Sequence, residues 1–149
     1  LDALVQQALP ILRAGIPATV NIATDLAAVP EILGSKGQLY QTLLNLVTNG
    51  ARAIGSNTGT VTIRVGGNRA DGVHLSVIDD GIGMDSATRA RIFEPFFTSR
   101  PDAGGTGLGL AIVHGIVNAH GGTIDVASAP GEGTRFDLVF PALTPQEAV

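Results

Sequence analysis

The chain has 149 residues, 44% of them hydrophobic, and this length and composition predict one globular domain, residues 1–149, with a substantial buried core. Its net charge of −4 provides none of the basic surface expected for binding to nucleic acid or to an anionic membrane, and the absence of cysteine excludes disulfides and thiolate metal sites. The longest apolar run, "LGLAIV" from Leu108, is too short to span a bilayer.

Hydrophobic periodicity and turn residues predict an alternation of helices and strands. In chain order, we expect a helix at 1–15, a strand at 18–24, a short edge strand at 30–34, a helix at 36–54, strands at 60–67 and 72–79, helices at 85–92 and 107–120, and strands at 123–129 and 134–141. In the first helix, Asp2 is the expected N-cap, Gly15 the stop, and Pro10 a break or kink. Helices mixed with antiparallel-looking strand pairs predict an α+β fold, one sheet with helices on one face.

The helix predicted at 36–54 contains "NLVTNGARA" (45–53), whose asparagines and glycine cost about 2 kcal/mol relative to alanine. At about 100° per residue, Asn45, Asn49 and Arg52 share one polar face, opposite a stripe of aliphatic residues. Most polar stripes are simply solvated, and that alternative stays open. A hairpin turn at "NG" is disfavoured because the flanking periodicity is helical. The functional interpretation is that amide oxygens on this face bind Mg²⁺ and the guanidinium binds phosphate.

The stretch "IDDGIGM" (78–84) follows a predicted strand. Its simplest interpretation is a tight turn in which Gly81 takes a positive φ. The functional alternative uses Asp79 as a carboxylate acceptor for the exocyclic amine of adenine, while Gly81 and Gly83 let the base approach the backbone. Taken alone, the stretch favours the turn.

Two further stretches lie before the helix predicted at 107–120. "GGTGLGLAIV" (104–113) would offer backbone amides to an anion at a helix start, but it matches neither a Walker P-loop nor the dinucleotide fingerprint. "RIFEPFFTSR" (91–100) concentrates Phe93, Phe96 and Phe97 in five residues. These aromatic residues predict either a core cluster or the packed hinge of a mobile lid.

In chain order, "NLVTNGARA", "DDGIG", "EPFF", "GTGLGL" and "GEGTRF" resemble the N, G1, F, G2 and G3 boxes of the catalytic, ATP-binding domain of bacterial sensor histidine kinases. Each stretch alone is weakly specific, whereas five in this order and spacing are highly specific. The resemblance covers residues 2–141. It implies the Bergerat fold, a two-layer α/β sandwich in which a mixed five-stranded sheet carries helices on one face. It also implies ATP and Mg²⁺ as cofactors and transfer of the γ-phosphate to a histidine.

The resemblance implies roles for the residues at matching positions. Asn49 matches the magnesium ligand, Asn45 supports it as a second metal-site amide, and the implied catalytic residues are Asn49, Arg52 and the lid residue Arg100. The implied nucleotide-binding residues are Asn45, Asn49, Arg52, Ala53, Asp79, Gly81, Gly83, Phe96, Gly105, Thr106, Gly107, Leu108, Gly109, Leu110 and Thr134.

The sequence departs from the family pattern at two places. Ala53 stands where many relatives place a tyrosine that packs on the nucleotide, so weaker stacking is expected. "GSKGQ" (34–38) lacks the aspartate that often precedes this helix, which leaves its N-terminal cap unassigned.

The resemblance also implies the direction of the chemistry. ATPases of this fold place a water-activating glutamate one turn before the metal asparagine, and here that position is Asn45, which cannot act as a base. Transfer to another nucleophile is therefore expected. None of His74, His114 and His120 is followed by Glu or Asp, as the acceptor histidine of this family is. The acceptor is expected on a separate dimerisation and phosphoacceptor domain.

Partners and location follow from the same resemblance. The receiver domain of a response regulator is the expected downstream partner, and neither nucleic acid nor direct membrane insertion is expected. Because the chain does not begin with methionine, we expect it to be a piece of a longer protein. We expect this domain to be cytoplasmic, and a membrane anchor elsewhere in the parent protein is compatible with that location. Two alternative functions remain, a serine kinase acting on a sigma-factor antagonist and a nucleotide-sensing pseudokinase.

Overall fold

A computed structural model describes residues 1–97 and 107–143. The helices and strands are, in chain order, α1 (Asp2–Gly15), β1 (Val20–Leu26), α2 (Lys36–Ile54), β2 (Gly59–Asn68), β3 (Gly72–Asp79), α3 (Ser86–Arg89), α4 (Gly109–Ala119), β4 (Thr123–Ser128) and β5 (Thr134–Phe140). The predicted helix at 36–54 and the predicted strand at 72–79 agree with α2 and β3 at both ends. No helix in the described ranges is long and apolar enough to cross a membrane.

The five strands form one sheet in the order β1-β2-β3-β5-β4. β1 and β2 are parallel, and the other three neighbouring pairs are antiparallel. A parallel pair needs a crossover connection, and α2 lies in the connection between β1 and β2. This connection places α2 against β2 and β3, with α1 and α4 beside it. The α+β class and the mixed five-stranded sheet are confirmed.

The sheet and the helices share one hydrophobic core. Alternate residues of the central strands face the helices, as expected for a sheet that is covered on one side. The buried strand residues are Val61, Ile63, Val65, Val73, Leu75, Val77, Phe136, Leu138 and Phe140, and those of the predicted aliphatic stripe of α2 are Leu39, Leu43, Leu46, Val47 and Ile54. Each fully buried aliphatic side chain contributes roughly 1.5–3 kcal/mol relative to exposure, so this stripe fixes how α2 is seated.

Two predictions about the first helix are wrong, a break at Pro10 and an N-cap at Asp2. α1 continues through Pro10 to Gly15, because Val5, Ala8 and Leu12 bury one face on both sides of the proline and this packing opposes its cost of about 3 kcal/mol. Asp2 lies in the first turn, and Leu1 is the N-cap.

Residues 30–34 form no strand. Ile32 packs against the core and the Leu33 side chain is 74% exposed, while Pro30 at the start of the segment has no N–H to donate to a neighbouring strand. Its Glu31 carbonyl instead accepts a hydrogen bond from the Leu143 N–H at 2.6 Å.

The first turn of α2 is capped and braced. The Ser35 hydroxyl accepts from the Gln38 N–H at 3.3 Å, which supplies the cap that the sequence left unassigned. The Ser35 N–H donates to Nε2 of His120 at 3.0 Å, and Nδ1 of His120 donates to the Ile116 carbonyl at 2.8 Å. His120 therefore joins the start of α2 to the last turn of α4.

Candidate functional site

One end of the sheet carries a row of three polar side chains on the face that the helices cover. Asp79 of β3 lies directly opposite Thr134 of β5, and Thr134 lies opposite Ser128 of β4. Asp79 and Thr134 are each only 5% exposed. We call this row, together with the 80–84 loop and Gly133, the sheet end of the candidate site.

Asp79 is a buried carboxylate whose charge is only partly compensated. Its Oδ1 accepts from the Gly81 N–H at 2.9 Å. Loss of solvation raises the pKa of Asp79 to about 6. The backbone N–H groups of Gly81 and Thr134 lower this pKa, and the nearby charge of Asp80 raises it further. Near neutral pH the group is ionised, at a free-energy cost that a further hydrogen-bond donor would reduce.

Gly50 explains why α2 approaches this carboxylate so closely. A Cβ at Gly50 would lie 3.2 Å from both Cβ of Asp79 and Cγ2 of Val61, and 3.5 Å from Oδ2 of Asp79. A larger residue would therefore push the helix away from β3. Glycine at this position costs about 1 kcal/mol of helix stability, and it allows α2 to pack closely against Asp79.

The 80–84 loop is fixed against the last turn of α2. The Ile82 N–H donates to the Ala53 carbonyl at 3.1 Å, and a Cβ at Gly81 would lie 2.6 Å from the carbonyl carbon of Ala53. The prediction that Gly81 takes a positive φ is wrong, because the positive φ of 68° belongs to Gly83. Gly81 is needed for close approach, and Gly83 for the turn.

Ser128 connects three parts of the sheet end, and sequence reasoning missed it. Its hydroxyl accepts from the Met84 N–H at 2.9 Å and donates to the Gly133 carbonyl at 2.8 Å. The same oxygen lies 2.9 Å from Oγ1 of Thr134. A signal was available, since the turn "PGEG" between β4 and β5 places Ser128 opposite Thr134 in the hairpin register.

The helix end of the candidate site consists of the polar face of α2 and residues 107–109. Nδ2 of Asn45 donates to the Gly109 carbonyl at 3.2 Å and so ties α2 to the start of α4. Asn49 is half-buried, and within the described ranges its carboxamide has no hydrogen-bond partner. Arg52 is exposed in the last turn of α2.

The structure brings several residues of the predicted F and G2 boxes together. The Phe96 N–H donates to the Gly107 carbonyl at 2.8 Å, and both residues have positive φ, 66° and 74°. The Phe96 ring is 75% exposed. Leu108 is the N-cap of α4, and Leu110 in its first turn packs against the core. The predicted site residues Arg100, Gly105 and Thr106 lie outside the described residues.

The other two phenylalanines of the 91–100 stretch, Phe93 and Phe97, pack at the edge of the core. The ring centroids of Phe93 and His114 lie 5.1 Å apart, and the guanidinium of Arg91 lies 4.5 Å from the centroid of Phe97. The core interpretation of the aromatic cluster therefore holds for Phe93 and Phe97, whereas the Phe96 side chain is exposed.

In the described ranges, no group of three or more His, Asp or Glu side chains could hold a metal ion by itself. Asn49 can supply one neutral oxygen, and magnesium bound to a nucleotide takes its remaining ligands from phosphates and water.

A mixed sheet with helices on one face, a buried aspartate at a strand end and an asparagine face packed beside it defines an ATPase domain of the Bergerat type. Residues 34–144 match the family model described as histidine kinase-, DNA gyrase B-, and HSP90-like ATPase. The chain belongs to this family. Within it, the chain is a catalytic ATP-binding domain of the sensor histidine kinase type, as the following relatives indicate.

Sensor histidine kinase ZraS of Escherichia coli O157:H7 is 47% identical over 113 residues, which cover 76% of this chain and 24% of that protein. The chain thus spans about a quarter of the relative's length. The solved structure of the mycobacterial sensor histidine kinase MprB superposes with a TM-score of 0.80 at 28% identity, covering 94% of this chain and 93% of that one. Full-length ShkA in complex with AMPPNP gives a TM-score of 0.81 at 31% identity, covering 95% of this chain and 30% of that one.

Proposed function

We propose that this domain binds ATP with magnesium and transfers the γ-phosphoryl group to a histidine on a separate dimerisation and phosphoacceptor domain. The observation that carries the proposal is the seating of α2 at Gly50, where the buried carboxylate of Asp79 lies beside the helix that presents Asn49. The two ends of the candidate site are then the base end and the phosphate end of one nucleotide.

At the sheet end, Asp79 would accept a hydrogen bond from the exocyclic amine of adenine. Only the ionised carboxylate has all its lone pairs available, and an amine donor relieves part of the desolvation that raises its pKa to about 6. Gly81 and Gly83 leave the floor beside Asp79 without side chains, and Thr134 offers a hydroxyl from the adjacent strand. Ala53 presents a methyl group, so the base would be held by hydrogen bonds and close packing more than by aromatic stacking.

At the helix end, Asn49 would bind magnesium through its free carboxamide oxygen. Magnesium, when bound with ATP, supplies positive charge that stabilises the phosphoryl group during transfer. Arg52 would add guanidinium donors for phosphate from the last turn of the same helix. Asn45 has a different contact, since its Nδ2 holds the Gly109 carbonyl. We therefore assign Asn45 to positioning α4, with its Oδ1 left to support the metal.

The site lacks a group that would activate water at the position next to the metal ligand. Asn45 occupies that position, and a carboxamide does not take up a proton near neutral pH. The three histidines are also engaged elsewhere. His120 braces α2 and α4, Nδ1 of His114 accepts from Asn118 at 3.3 Å, and His74 lies on the exposed face of β3. The phosphorylated histidine would therefore come from another domain.

The same reasoning extends to the whole protein. The domain would be one module, residues 1–149, of a longer sensor kinase in which the phosphoacceptor domain passes the phosphoryl group to the receiver domain of a response regulator. ATP as substrate and a receiver domain as partner imply that this module works in the cytoplasm.

The proposal is tested first by nucleotide binding. Titration calorimetry of the 149-residue chain should give an ATP affinity that falls at least about tenfold in Asp79→Asn, as expected for the loss of a charged hydrogen bond. Asp80→Asn is the matched control, because Asp80 is the exposed neighbour whose carboxylate accepts from the Thr60 N–H at 2.9 Å. Equal affinities for wild type and Asp79→Asn would refute the base-binding role.

The second test follows the phosphoryl group. The chain is incubated with labelled ATP, magnesium and a purified phosphoacceptor domain, with Asn49→Ala as the variant expected to lose the magnesium dependence. Acid-labile label on a histidine supports the proposal. Label on serine would support the sigma-factor-antagonist kinase, and binding without transfer would support the pseudokinase.

A further inference from the structure

The hydrogen positions around the Ser128 hydroxyl can be assigned from its three partners. Ser128 has a single hydroxyl proton. The Met84 N–H can only donate, at 2.9 Å, and the Gly133 carbonyl can only accept, at 2.8 Å. All three contacts are hydrogen bonds at the same time only when the Ser128 proton points to Gly133 and Thr134 supplies the proton between the two hydroxyls, and we adopt this arrangement because it satisfies every group.

This assignment fixes the hydroxyl of Thr134. Its Oγ1 lies 2.9 Å from the Ser128 oxygen, and the Ser128 proton is already committed to the Gly133 carbonyl. Thr134 is consequently the donor of that hydrogen bond. With its proton directed at Ser128, the Thr134 oxygen presents only lone pairs to its remaining surroundings.

The direction of this hydrogen bond matters because Thr134 is the cross-strand neighbour of Asp79. Side chains directly opposite each other in an antiparallel pair lie about 5 Å apart at Cβ, so a free Thr134 hydroxyl could turn and donate to the Asp79 carboxylate. Ser128 prevents this because its oxygen accepts the hydrogen bond from the Thr134 hydroxyl. The two side chains that would face a base are then both acceptors.

We propose that Ser128 is a positioning residue that sets base selectivity, because it holds the Thr134 hydroxyl as an acceptor beside Asp79. With Asp79 and Thr134 both acting as hydrogen-bond acceptors, the site favours a purine with an amine donor at position 6 and disfavours a purine with a 6-oxo acceptor. This inference rests on the proposed binding of ATP and adds the residue that makes the choice of purine stricter.

A merely structural role for Ser128 predicts a different result. Its bonds to Met84 and Gly133 hold the 80–84 loop to the turn between β4 and β5. If that were its only role, removing the hydroxyl would weaken binding of all purine nucleotides by the same factor. The ratio of affinities for two nucleotides that differ in the donors and acceptors at N1 and position 6 separates the two roles.

The experiment compares ATP with inosine triphosphate, whose base carries a 6-oxo group and a proton on N1 in place of the 6-amine and unprotonated N1 of adenine. Dissociation constants are measured by calorimetry with magnesium for wild type, Ser128→Ala and Ser128→Thr, with the melting temperature recorded for each. In Ser128→Ala, the freed Thr134 proton can donate to a 6-oxo group, and we expect the preference for ATP to fall at least about threefold, a modest share of one hydrogen bond. Ser128→Thr retains the hydroxyl and should keep the wild-type ratio.

Two further variants complete the test. Ser76→Ala removes a serine hydroxyl from the opposite face of the same sheet, where it donates to Oδ1 of Asp137 at 2.6 Å, and should leave the ratio unchanged. Thr134→Val removes the acceptor itself and should lower the ratio whether or not Ser128 is present. Adding Ser128→Ala to Thr134→Val should then produce no further change in the ratio.

The outcomes distinguish this inference from the proposed function. If Ser128→Ala weakens ATP and inosine triphosphate equally, or if Thr134→Val leaves the ratio intact, Ser128 does not set selectivity, although ATP binding stands. If the wild-type chain binds neither nucleotide, the proposed function fails and the inference fails with it.

Discussion

The sheet end and the helix end of the candidate site are held in different ways. At the sheet end, loop and turn are joined by hydrogen bonds from Met84 to Ser128, from Ser128 to Gly133, and from Gly131 to the Ile82 carbonyl at 2.7 Å. At the helix end, the described contacts between α2 and the start of α4 include one side-chain hydrogen bond, from Asn45 to Gly109.

This difference follows from what each end would have to recognise. A base is small and planar, and its donors and acceptors are read only by groups that are already in place. Phosphates and a metal ion carry enough charge to order their own ligands on binding. We expect substitutions that disturb the packing of the sheet end to lower both stability and affinity, and those at the helix end to act mainly on transfer. Asp79→Asn is the exception in stability, because it removes a buried charge.

The largest expected effect is that of Gly133→Ala. Gly133 has a φ of 75°, and a Cβ there would collide with the Asp79 carbonyl. Backbone strain of 1–2 kcal/mol and the displacement of a strand should together lower the free energy of unfolding by about 3 kcal/mol or more, measured by urea denaturation. Gly131→Ala is the control, since its φ is 78° but a Cβ there meets no atom within 4 Å. Equal losses in the two variants would contradict a tightly packed sheet end.

The second prediction concerns pH. Because the folded-state pKa of Asp79 is raised from 3.8 to about 6, the folded protein holds this proton more tightly than the unfolded chain does. The free energy of unfolding should therefore fall by about 3 kcal/mol in total as the pH rises from 4 to 6, an order-of-magnitude figure. Asp79→Asn should lack this component and be more stable than wild type at pH 7, while it binds ATP more weakly.

The measurement is a series of unfolding curves between pH 4 and pH 8 for the two proteins. ATP affinity of the wild type should change in the opposite direction and rise through the same range, because the ionised carboxylate is the acceptor. If Asp79→Asn showed the wild-type pH dependence of stability, the burial of Asp79 would not be its origin.

The smallest expected effect is that of Asn45→Ala at the helix end. Loss of its hydrogen bond to the Gly109 carbonyl costs about 1 kcal/mol, and the higher helix propensity of alanine offsets roughly half of that, so the free energy of unfolding should fall by about 0.5 kcal/mol. Amide hydrogen exchange should become faster in the first turn of α4 and stay unchanged in β5. Faster exchange in β5 would show that the sheet end and the helix end are coupled, and it would contradict the view that they are held independently.

Much of the fold could be predicted because its signals are local. The aliphatic stripe of α2 and the alternation in β3 and β5 are periodic patterns, and they place the sheet beneath the helix. Pro10 was misjudged because its cost in a helix is local, whereas the packing that opposes it depends on Val5 and Leu12 in the tertiary structure.

The site was predictable in its motifs but not in its contacts. Asp79 and Asn49 stand in recognisable stretches, and the structure packs the helix of one against the strand of the other. Gly50 was grouped with the asparagines as a poor helix former, whereas its role is the close approach to Asp79. Ser128 has no motif, because a serine at a strand end is ordinary until the register of β4 and β5 places it beside Thr134.

Asn49 and Gly50 are consecutive residues of one helix, yet one presents a carboxamide to the cleft and the other touches the strand that ends in Asp79. Consecutive residues of a helix lie about 100° apart around its axis, so Gly50 packs against the strand while Asn49 lies on the neighbouring face. Under the proposed function, the seating of Gly50 on β3 would therefore set the distance from the Asn49 carboxamide to the Asp79 carboxylate, and with it the length of ligand that fits between them.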